Sequence, residues 1–245
     1  MEKSDMIYGT RAVIEAIVAG KQIEKVMIQS GLNNDLIKEL IHIAKAKQVP
    51  YTFVPMEKLK RMSSKNHQGV ICLLAAVSFA SLDNIIDKAF SEGREPFLLL
   101  LDRITDVRNF GAIARSAECA GLDAIVISEK GSAPITSDAM KTSAGALNHL
   151  PVCREKDMKK TMQLLRDSGI RVIACTEKTN QDIYKVNLSG PVAIIMGSEE
   201  DGISDNLLRE ADELARIPMK GKIGSLNVSV AAGIAVYETL RQRMK

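Results

Sequence analysis

Three segments of this 245-residue chain combine glycine with polar side chains that can bind or activate a ligand. They cover residues 109–115, 197–202 and 218–229, and each follows a strand-like apolar run. In an α/β sheet, ligands bind in loops at the carboxyl ends of the strands. The three segments therefore predict one shared pocket, lined by small residues and a few polar groups.

The first segment carries Arg115 among small residues such as Ala112, Ala114 and Ser116. The planar fork of a guanidinium suits a phosphate, so Arg115 is a candidate anion clamp. The same pattern also fits a surface arginine whose stem covers apolar surface while its charge stays in water. Spacing alone leaves both interpretations open.

The other two segments carry fewer signals when each is taken alone. Gly197 and Gly202 bracket Glu199 behind a buried strand, where glycine lets a ligand approach the backbone. A plain turn has the same pattern. Ser225 and Asn227 precede the last helix, so they either cap it or contact a substrate.

The signatures of several enzyme classes are missing from the sequence. No GxGxxG follows a strand, and neither GxxxxGK[ST] nor HExxH occurs, which argues against a dehydrogenase, a P-loop enzyme and a zinc hydrolase. The three histidines are scattered and no CxxC pair exists, so we expect no metal site.

Composition is that of a soluble globular protein, with 46% hydrophobic and 26% charged residues. The longest apolar runs have strand length and the N-terminus is polar, so we expect neither a membrane span nor a signal peptide. We expect the four cysteines to be reduced, mostly buried thiols of a cytoplasmic protein.

Charge is distributed unevenly along the chain. Residues 1–80 hold 11 Lys/Arg against 7 Asp/Glu, whereas residues 81–245 hold 22 against 23. The basic excess in the N-terminal third indicates either a module that binds a polyanion or a solvated lysine-rich surface.

Apolar strands alternate with amphipathic helices, which predicts an α/β fold with a mostly parallel sheet covered on both faces. We expect a small α/β domain over residues 1–78, a linker and first helix over 79–95, and a larger domain over 96–245. Within them we predict helices over 7–19, 111–120 and 228–243, and a strand over 70–77.

In this order and spacing, the three segments resemble the SpoU (TrmH) family of RNA ribose 2′-O-methyltransferases, within the SPOUT class. Val107 departs from the family pattern, because a proline often stands there. Residues 1–78 resemble an RNA-binding domain of the ribosomal-protein L30e type, through Tyr8-Gly9 and His67-Gln68-Gly69. The positions that match the methyltransferase motifs are Asn109, Gly111 and Arg115; Gly197, Glu199 and Gly202; and Pro218 with Ser225-Leu226-Asn227-Val228-Ser229.

The resemblance implies that the C-terminal domain is trefoil-knotted and binds S-adenosylmethionine at the knot. It also implies a homodimer whose sites draw on both subunits, with the last helix and the first-motif helix near the interface. The residues implied to surround the cofactor, largely through backbone groups, are Thr176, Met196, Gly197, Ile217, Met219 and Leu226.

The resemblance also implies roles for the polar residues. Arg115 would activate the ribose hydroxyl, either as a base helped by an RNA phosphate or as a cation that grips phosphate and stabilises the alkoxide. Asn109, Ser225 and Asn227 would orient the ribose and the loops, and Glu199 would orient Arg115 or Asn109.

The implied substrate is ribosomal RNA, at a guanosine of the large subunit. Three alternatives stay open: a transfer-RNA methyltransferase, a non-catalytic RNA-binding protein of ribosome assembly, and a small-molecule enzyme that binds another nucleotide.

Overall fold

The structure, a computed structural model, describes residues 6–244. The chain divides into two compact units. The first contains the described residues up to Ser78 together with Pro134–Ser137, and the second contains Phe79–Ala133 and the residues from Asp138 on. Within the first unit, the Ile135 carbonyl accepts a hydrogen bond from the Ala76 amide at 2.8 Å.

The first unit is a four-stranded sheet with helices. Its elements are β1 (Met6–Tyr8), α1 (Thr10–Val18), β2 (Ile23–Gln29), α2 (Asp35–Ala46), β3 (Tyr51–Val54), α3 (Met56–Met62) and β4 (Val70–Leu74). The strand order is β1-β4-β2-β3, in which only the β2–β3 pair is parallel. Val26 and Ile28 pack with α1 and α2, whereas Met27 packs with Leu59 of α3. This alternation along β2 places apolar side chains on both faces of the sheet.

The second unit contains a six-stranded sheet of order β10-β8-β9-β5-β6-β7, and all five strand pairs are parallel. From Leu82 on, the elements are α4 (Leu82–Ser91), β5 (Phe97–Asp102), α5 (Val107–Cys119), β6 (Ala124–Ser128), α6 (Ser137–Thr142), β7 (Val152–Glu155), α7 (Met158–Asp167), β8 (Arg171–Cys175), β9 (Val192–Gly197), α8 (Asp205–Leu208), β10 (Glu213–Ala215) and α9 (Val228–Arg243), with 3₁₀ turns at Ala146–Asn148 and Ile183–Lys185.

The central strands of this sheet are buried on both faces. Every residue of β5 and β9 is buried. Leu98 and Leu100 of β5 belong to a core cluster that includes residues of α4 and α7. Helices α5 and α9 pack against each other. A strand that is buried on both faces has a continuous run of apolar residues, and such a run is easy to recognise in the sequence.

Some elements differ from the sequence-based expectation. Residues 7–19 are not one helix: β1 comes first, and Gly9 at φ +84° separates it from α1. The strand predicted over 70–77 ends at Leu74, because Ala75 and Ala76 bond to Gln22 and Ile135 instead of to a neighbouring strand. Strand β7 was not predicted, since its four residues include the polar Arg154 and Glu155.

Two further expectations concern the membrane and the cysteines. Within residues 6–244, no helix combines the length and the apolar character that a membrane crossing requires. Cys72 and Cys153 are buried free thiols, Cys175 is half-buried, and Cys119 on α5 is exposed. The trefoil knot stays a prediction from the resemblance.

Candidate active site

A cavity of about 400 Å³ opens at the carboxyl ends of β8, β9 and β10. This volume falls within the range of roughly 300–1,000 Å³ that is typical of small-molecule sites. Its wall includes Glu199 and Ser225, two of the residues with a predicted catalytic role. All six residues predicted to surround the cofactor also line it: Thr176, Met196, Gly197, Ile217, Met219 and Leu226.

The 197–202 loop forms one wall and folds back on itself. The Ser198 amide donates to the Gly202 carbonyl at 3.1 Å, and the Gly202 amide donates to the Ser198 carbonyl at 3.0 Å. A Cβ on Gly197 would overlap the backbone of Gly202 and Ile203. The sequence predicts that glycine here lets a ligand approach, and the structure adds a second reason, since the returning loop itself touches the Gly197 backbone.

Three polar side chains from distant parts of the chain form a hydrogen-bonded series. The Asn109 side-chain amide donates to the Glu199 carboxylate. The Asn227 side-chain amide donates to the Asn109 Oδ1 at 3.1 Å. One residue from each predicted motif therefore takes part, and Asn109 is the residue that bonds to both others.

Asn109 lies in a helix and not in the loop that the sequence suggested. Helix α5 begins at Val107, four residues before the predicted start, because Asp106 caps it by accepting from the Arg108 and Asn109 amides at 2.8 Å each. Val107 occupies the first helical position, where proline is favoured for its fixed φ. The Asp106 cap forms the helix start without that proline.

Gly111 on α5 serves helix packing. A Cβ at this position would overlap the Thr142 side chain of α6. The Thr142 hydroxyl donates to carbonyls within α6 and lies 3.3 Å from the Val107 carbonyl. The glycine of the first motif thus allows two helices to approach closely, and does not itself line the cavity.

Asn227 caps the last helix, which is one of the two interpretations that the sequence left open, and it also contacts another motif residue. Its Oδ1 caps α9 by accepting from the Ser229 amide at 2.9 Å. Its Nδ2 is the group that donates to Asn109. One side chain therefore fixes the start of α9 and connects that helix to α5.

Arg115 is separated from this group. It is exposed on α5, two turns beyond the helix start, and it is not among the residues that line the cavity. Glu199 contacts Asn109, so of the two partners predicted for Glu199 the structure brings only Asn109 to it. In one copy of the chain, Arg115 and the cavity do not form a common site.

Carboxylates dominate the charge of the cavity wall. Glu177, Glu199, Glu200 and Asp201 line it. Arg216 also lines it, but its guanidinium donates to Asp182 at 2.8 Å and to Asn180 at 3.0 Å. The hydrogen bond from Arg216 lowers the pKa of Asp182. Asp201 is itself paired with Arg103, so Glu177, Glu199 and Glu200 give the wall an excess of negative charge, which favours a cation.

The one thiol on the wall is neutral. Burial raises the pKa of Cys175 to about 12, and the nearby Glu177 acts in the same direction. A neutral thiol is a poor nucleophile and a poor metal ligand. Within residues 6–244, no group of three or more His, Cys, Asp or Glu side chains is placed to hold a metal ion.

Sequence reasoning missed several residues of this region. Asp102, the last residue of β5, is buried and accepts from the Ser204 amide at 2.8 Å. A carboxylate at the end of a buried strand is a recognisable signal, whereas nothing in the sequence distinguished Arg103 or Arg216. The unpredicted wall residues that lie outside the three segments are Cys175, Glu177, Arg216 and Ala231. Within those segments lie further wall residues for which no individual role was predicted: Ser198, Glu200, Asp201, Gly224 and Val228.

Comparison with known proteins gives matches over most of the chain. Residues 96–237 match the SpoU rRNA methylase family, and residues 6–80 match the family described as RNA 2′-O ribose methyltransferase substrate binding.

Full-length relatives agree with these matches. A relative in Bacillus subtilis, named a TrmH family tRNA/rRNA methyltransferase, is 32% identical over 242 residues, 99% of this chain and 97% of its own length. A relative of the same name in Staphylococcus epidermidis is 36% identical over 239 residues, 97% and 96% of the two chains. The crystal structure of an AdoMet-bound rRNA methyltransferase from Sinorhizobium meliloti aligns with a TM-score of 0.61 and 25% identity, over 96% of this chain and 86% of that one.

Proposed function

Because the chain belongs to the SpoU rRNA methylase family, we propose that it transfers the methyl group of S-adenosylmethionine to a ribose 2′-hydroxyl of RNA. The observation that carries this proposal is the arrangement of the motifs around one cavity. The second and third motifs line its wall, and Asn109 of the first motif is hydrogen-bonded to both.

The cavity has features that suit both the adenine ring and the sulfonium group of this cofactor. Met196, Ile217 and Leu226 offer apolar surface for an adenine ring, and backbone groups around Gly197 can read its edge. Glu177, Glu199 and Glu200 give the wall an excess of negative charge, which favours a sulfonium cation. S-adenosylmethionine, when bound, supplies a methyl group already activated on sulfur, so the protein's task is to position the reactants.

The ribose hydroxyl is a very weak acid, and the cost of removing its proton must be lowered. Among the described residues of the cavity wall there is no histidine. We assign to Arg115 the electrostatic role, in which its guanidinium grips an RNA phosphate and stabilises the developing alkoxide. A guanidinium is not deprotonated in proteins, which argues against the role of base. Asn109, Ser225 and Asn227 then orient the ribose and the loops.

Arg115 does not line the cavity of its own chain, so we propose that a second copy of the chain supplies it and that the protein acts as a homodimer. Helix α9 supports this, since Val230 and Tyr237 are seven residues apart on one face and each is about half exposed, at 51% and 49%. Two exposed apolar side chains on one helix face favour contact with a partner surface. Helix α5, which carries Arg115, packs against α9, so both helices would lie near the interface.

We further propose that the substrate is ribosomal RNA, at a guanosine of the large subunit, and that the activity is therefore cytoplasmic. The excess of basic residues in the first 80 positions and the match of residues 6–80 to a substrate-binding family support a role for that domain in holding RNA. The names of the relatives include both tRNA and rRNA, and for this reason transfer RNA is the second candidate.

The test is to map ribose methylation on total RNA from cells with and without the protein. We expect one 2′-O-methyl group to disappear from large-subunit ribosomal RNA when the protein is absent. Loss of a group from a transfer RNA would favour the second candidate. An unchanged methylation map, together with normal binding of S-adenosylmethionine, would favour the non-catalytic assembly protein.

A further inference from the structure

Arg103 combines an unfavourable backbone conformation with a fixed side chain beside the cavity. It directly follows β5 and has φ +59°, in the left-handed region that residues other than glycine rarely adopt. Such a conformation has a cost and persists only where the surroundings maintain it. At this position the surroundings are the 197–202 loop.

The guanidinium of Arg103 holds that loop at two points. Its Nη1 donates to Asp201 Oδ2 at 2.9 Å, and its Nη2 donates to the Gly202 carbonyl at 3.1 Å. The same Gly202 carbonyl accepts from the Ser198 amide, which closes the loop. Arg103 therefore strengthens the closure from outside, and it is not among the residues that line the cavity.

At the end of β5, Asp102 lies beside the Nε of Arg103. Arg103 Nε is buried without a hydrogen bond and lies 3.5 Å from Asp102 Oδ1, near enough for an ion pair. The second oxygen of Asp102 accepts from the Ser204 amide at 2.8 Å. Since Asp102 pairs with Gly197 across the sheet, this carboxylate and Arg103 together hold both ends of the loop.

We propose that Arg103 is a positioning residue for methyl transfer, acting through the 197–202 loop. By fixing Asp201 and Gly202 it holds Glu199 where that carboxylate accepts from Asn109. The inference rests on the proposed function, because the loop is a wall of the cofactor cavity. Loss of the guanidinium loosens the wall without removing any group that touches the cofactor or the ribose.

Arg103→Gly separates this role from general stability. Glycine adopts φ +59° without cost, so the substitution relieves the backbone while it deletes the guanidinium. We expect the thermal midpoint to stay at the wild-type value or to rise. We expect hydrogen exchange of the amides of residues 198–202 to accelerate about tenfold in the cofactor-free protein, with the dissociation constant for S-adenosylmethionine rising and kcat falling by similar factors.

Arg166→Ala is the matched control. Arg166 Nη2 donates to the Glu210 carbonyl at 2.8 Å and to its carboxylate at 3.2 Å, and its side chain is 39% exposed against 37% for Arg103. The substitution therefore removes an equivalent pair of hydrogen bonds from α7, and we expect hydrogen exchange in the loop, cofactor affinity and kcat to stay at wild-type values.

Arg103→Lys completes the series, since an ammonium can reach Asp201 but cannot also donate to the Gly202 carbonyl with the geometry of the fork. We expect a partial rescue, with a dissociation constant between those of wild type and Arg103→Gly. If Arg103→Gly does not fold, a dissociation constant for Arg103→Lys raised about threefold at an unchanged thermal midpoint still supports the proposal.

Wild-type loop exchange and wild-type kinetics in Arg103→Gly would overturn it, as would equal losses in Arg166→Ala. If the wild-type protein itself does not bind S-adenosylmethionine, the proposed function fails, while the hydrogen-exchange comparison still decides whether Arg103 fixes the loop.

Discussion

Asn109 donates its side-chain amide to the carboxylate of Glu199, which lies 90 positions further along the chain. This contact joins the first turn of α5 to the loop after β9, and the bond from Asn227 adds the start of α9. The cavity wall is therefore not three independent loops. Through Glu199, the wall is hydrogen-bonded to Asn109 on α5 and from there to Asn227 at the start of α9.

The Asn109–Glu199 contact leads to a first prediction. Gln at this position keeps an acceptor but loses the charge, and hydrogen bonds to charged groups contribute about 1.5–3 kcal/mol against about 0.5–1.5 kcal/mol for neutral ones. We therefore expect Glu199→Gln to lower kcat/KM for RNA methylation by roughly tenfold. Steady-state methylation with purified RNA measures it. Glu92→Gln, which changes an exposed carboxylate after α4, is the control. Wild-type kinetics in Glu199→Gln would show that this contact does not contribute to catalysis.

Arg115 allows a test of sharing between subunits. We expect Arg115→Ala to abolish methylation while S-adenosylmethionine affinity stays unchanged, because Arg115 does not line the cavity of its own chain. Arg209→Ala, an exposed arginine after α8, controls for the loss of one positive charge.

Mixed dimers extend this test. When Arg115→Ala and Glu199→Gln proteins are combined and allowed to exchange subunits, one cavity of the mixed dimer has both residues intact. We therefore expect activity to reappear on mixing. The shared site would be contradicted if the mixture were no more active than its parents. It would also be contradicted if sedimentation showed that fully active wild-type protein is a monomer.

Gly197 gives a prediction about the cofactor alone. A Cβ there would overlap the backbone of Gly202 and Ile203, which cannot move without opening the loop. We expect Gly197→Ala to weaken S-adenosylmethionine binding by roughly five- to a hundredfold, measured by calorimetry, because overpacking of this kind typically costs about 1–3 kcal/mol. The new methyl group of Gly221→Ala would meet only the Ile223 nitrogen, at an ordinary contact distance of 4.0 Å, so this variant is the matched control. Normal binding by Gly197→Ala would show that the loop shape does not govern the cofactor site.

The surface of α3 gives a prediction about RNA. Lys58, Lys60 and Arg61 are exposed there, around the buried Leu59. If they bind phosphates, their combined replacement by alanine should weaken RNA binding and reduce the slope of log affinity against log salt by roughly 0.7–0.9 for each phosphate that is no longer neutralised. Cofactor affinity should not change. Lys159→Ala, on α7, is the control, and an unaltered salt slope in the triple variant would place the RNA elsewhere.

Much of this fold and site could be predicted from the sequence, for physical reasons that differ between elements. Strands such as β5 and β9 are buried on both faces, and burial restricts most of their positions to apolar residues. Strands β1 and β7 are short and lie at sheet edges. Their strand conformation is therefore determined by pairing with a neighbouring strand and not by the local sequence. The six wall residues proposed for the cofactor were named from a motif resemblance, which periodicity would not have supplied.

The contacts between motifs could not be predicted in the same way. The sequence identified Asn109, Glu199 and Asn227 as polar residues near strand ends, but which amide meets which carboxylate depends on how α5 and α9 pack. Gly111 and Gly197 were selected from the motifs, and the structure adds that at both positions the chain approaches itself closely. No pattern in the sequence distinguished Arg103, since its proposed role depends on a loop about 100 positions further along the chain.

The most direct test of the central claim is transfer of a labelled methyl group from S-adenosylmethionine to protein-free large-subunit ribosomal RNA by the purified full-length chain, followed by nucleoside mass spectrometry. We predict label in a 2′-O-methylated nucleoside, with Glu199→Gln protein giving roughly a tenth of the wild-type amount. Label found only on a base, or absent from ribosomal and transfer RNA alike although the protein binds the cofactor, would contradict the assignment of ribose methylation.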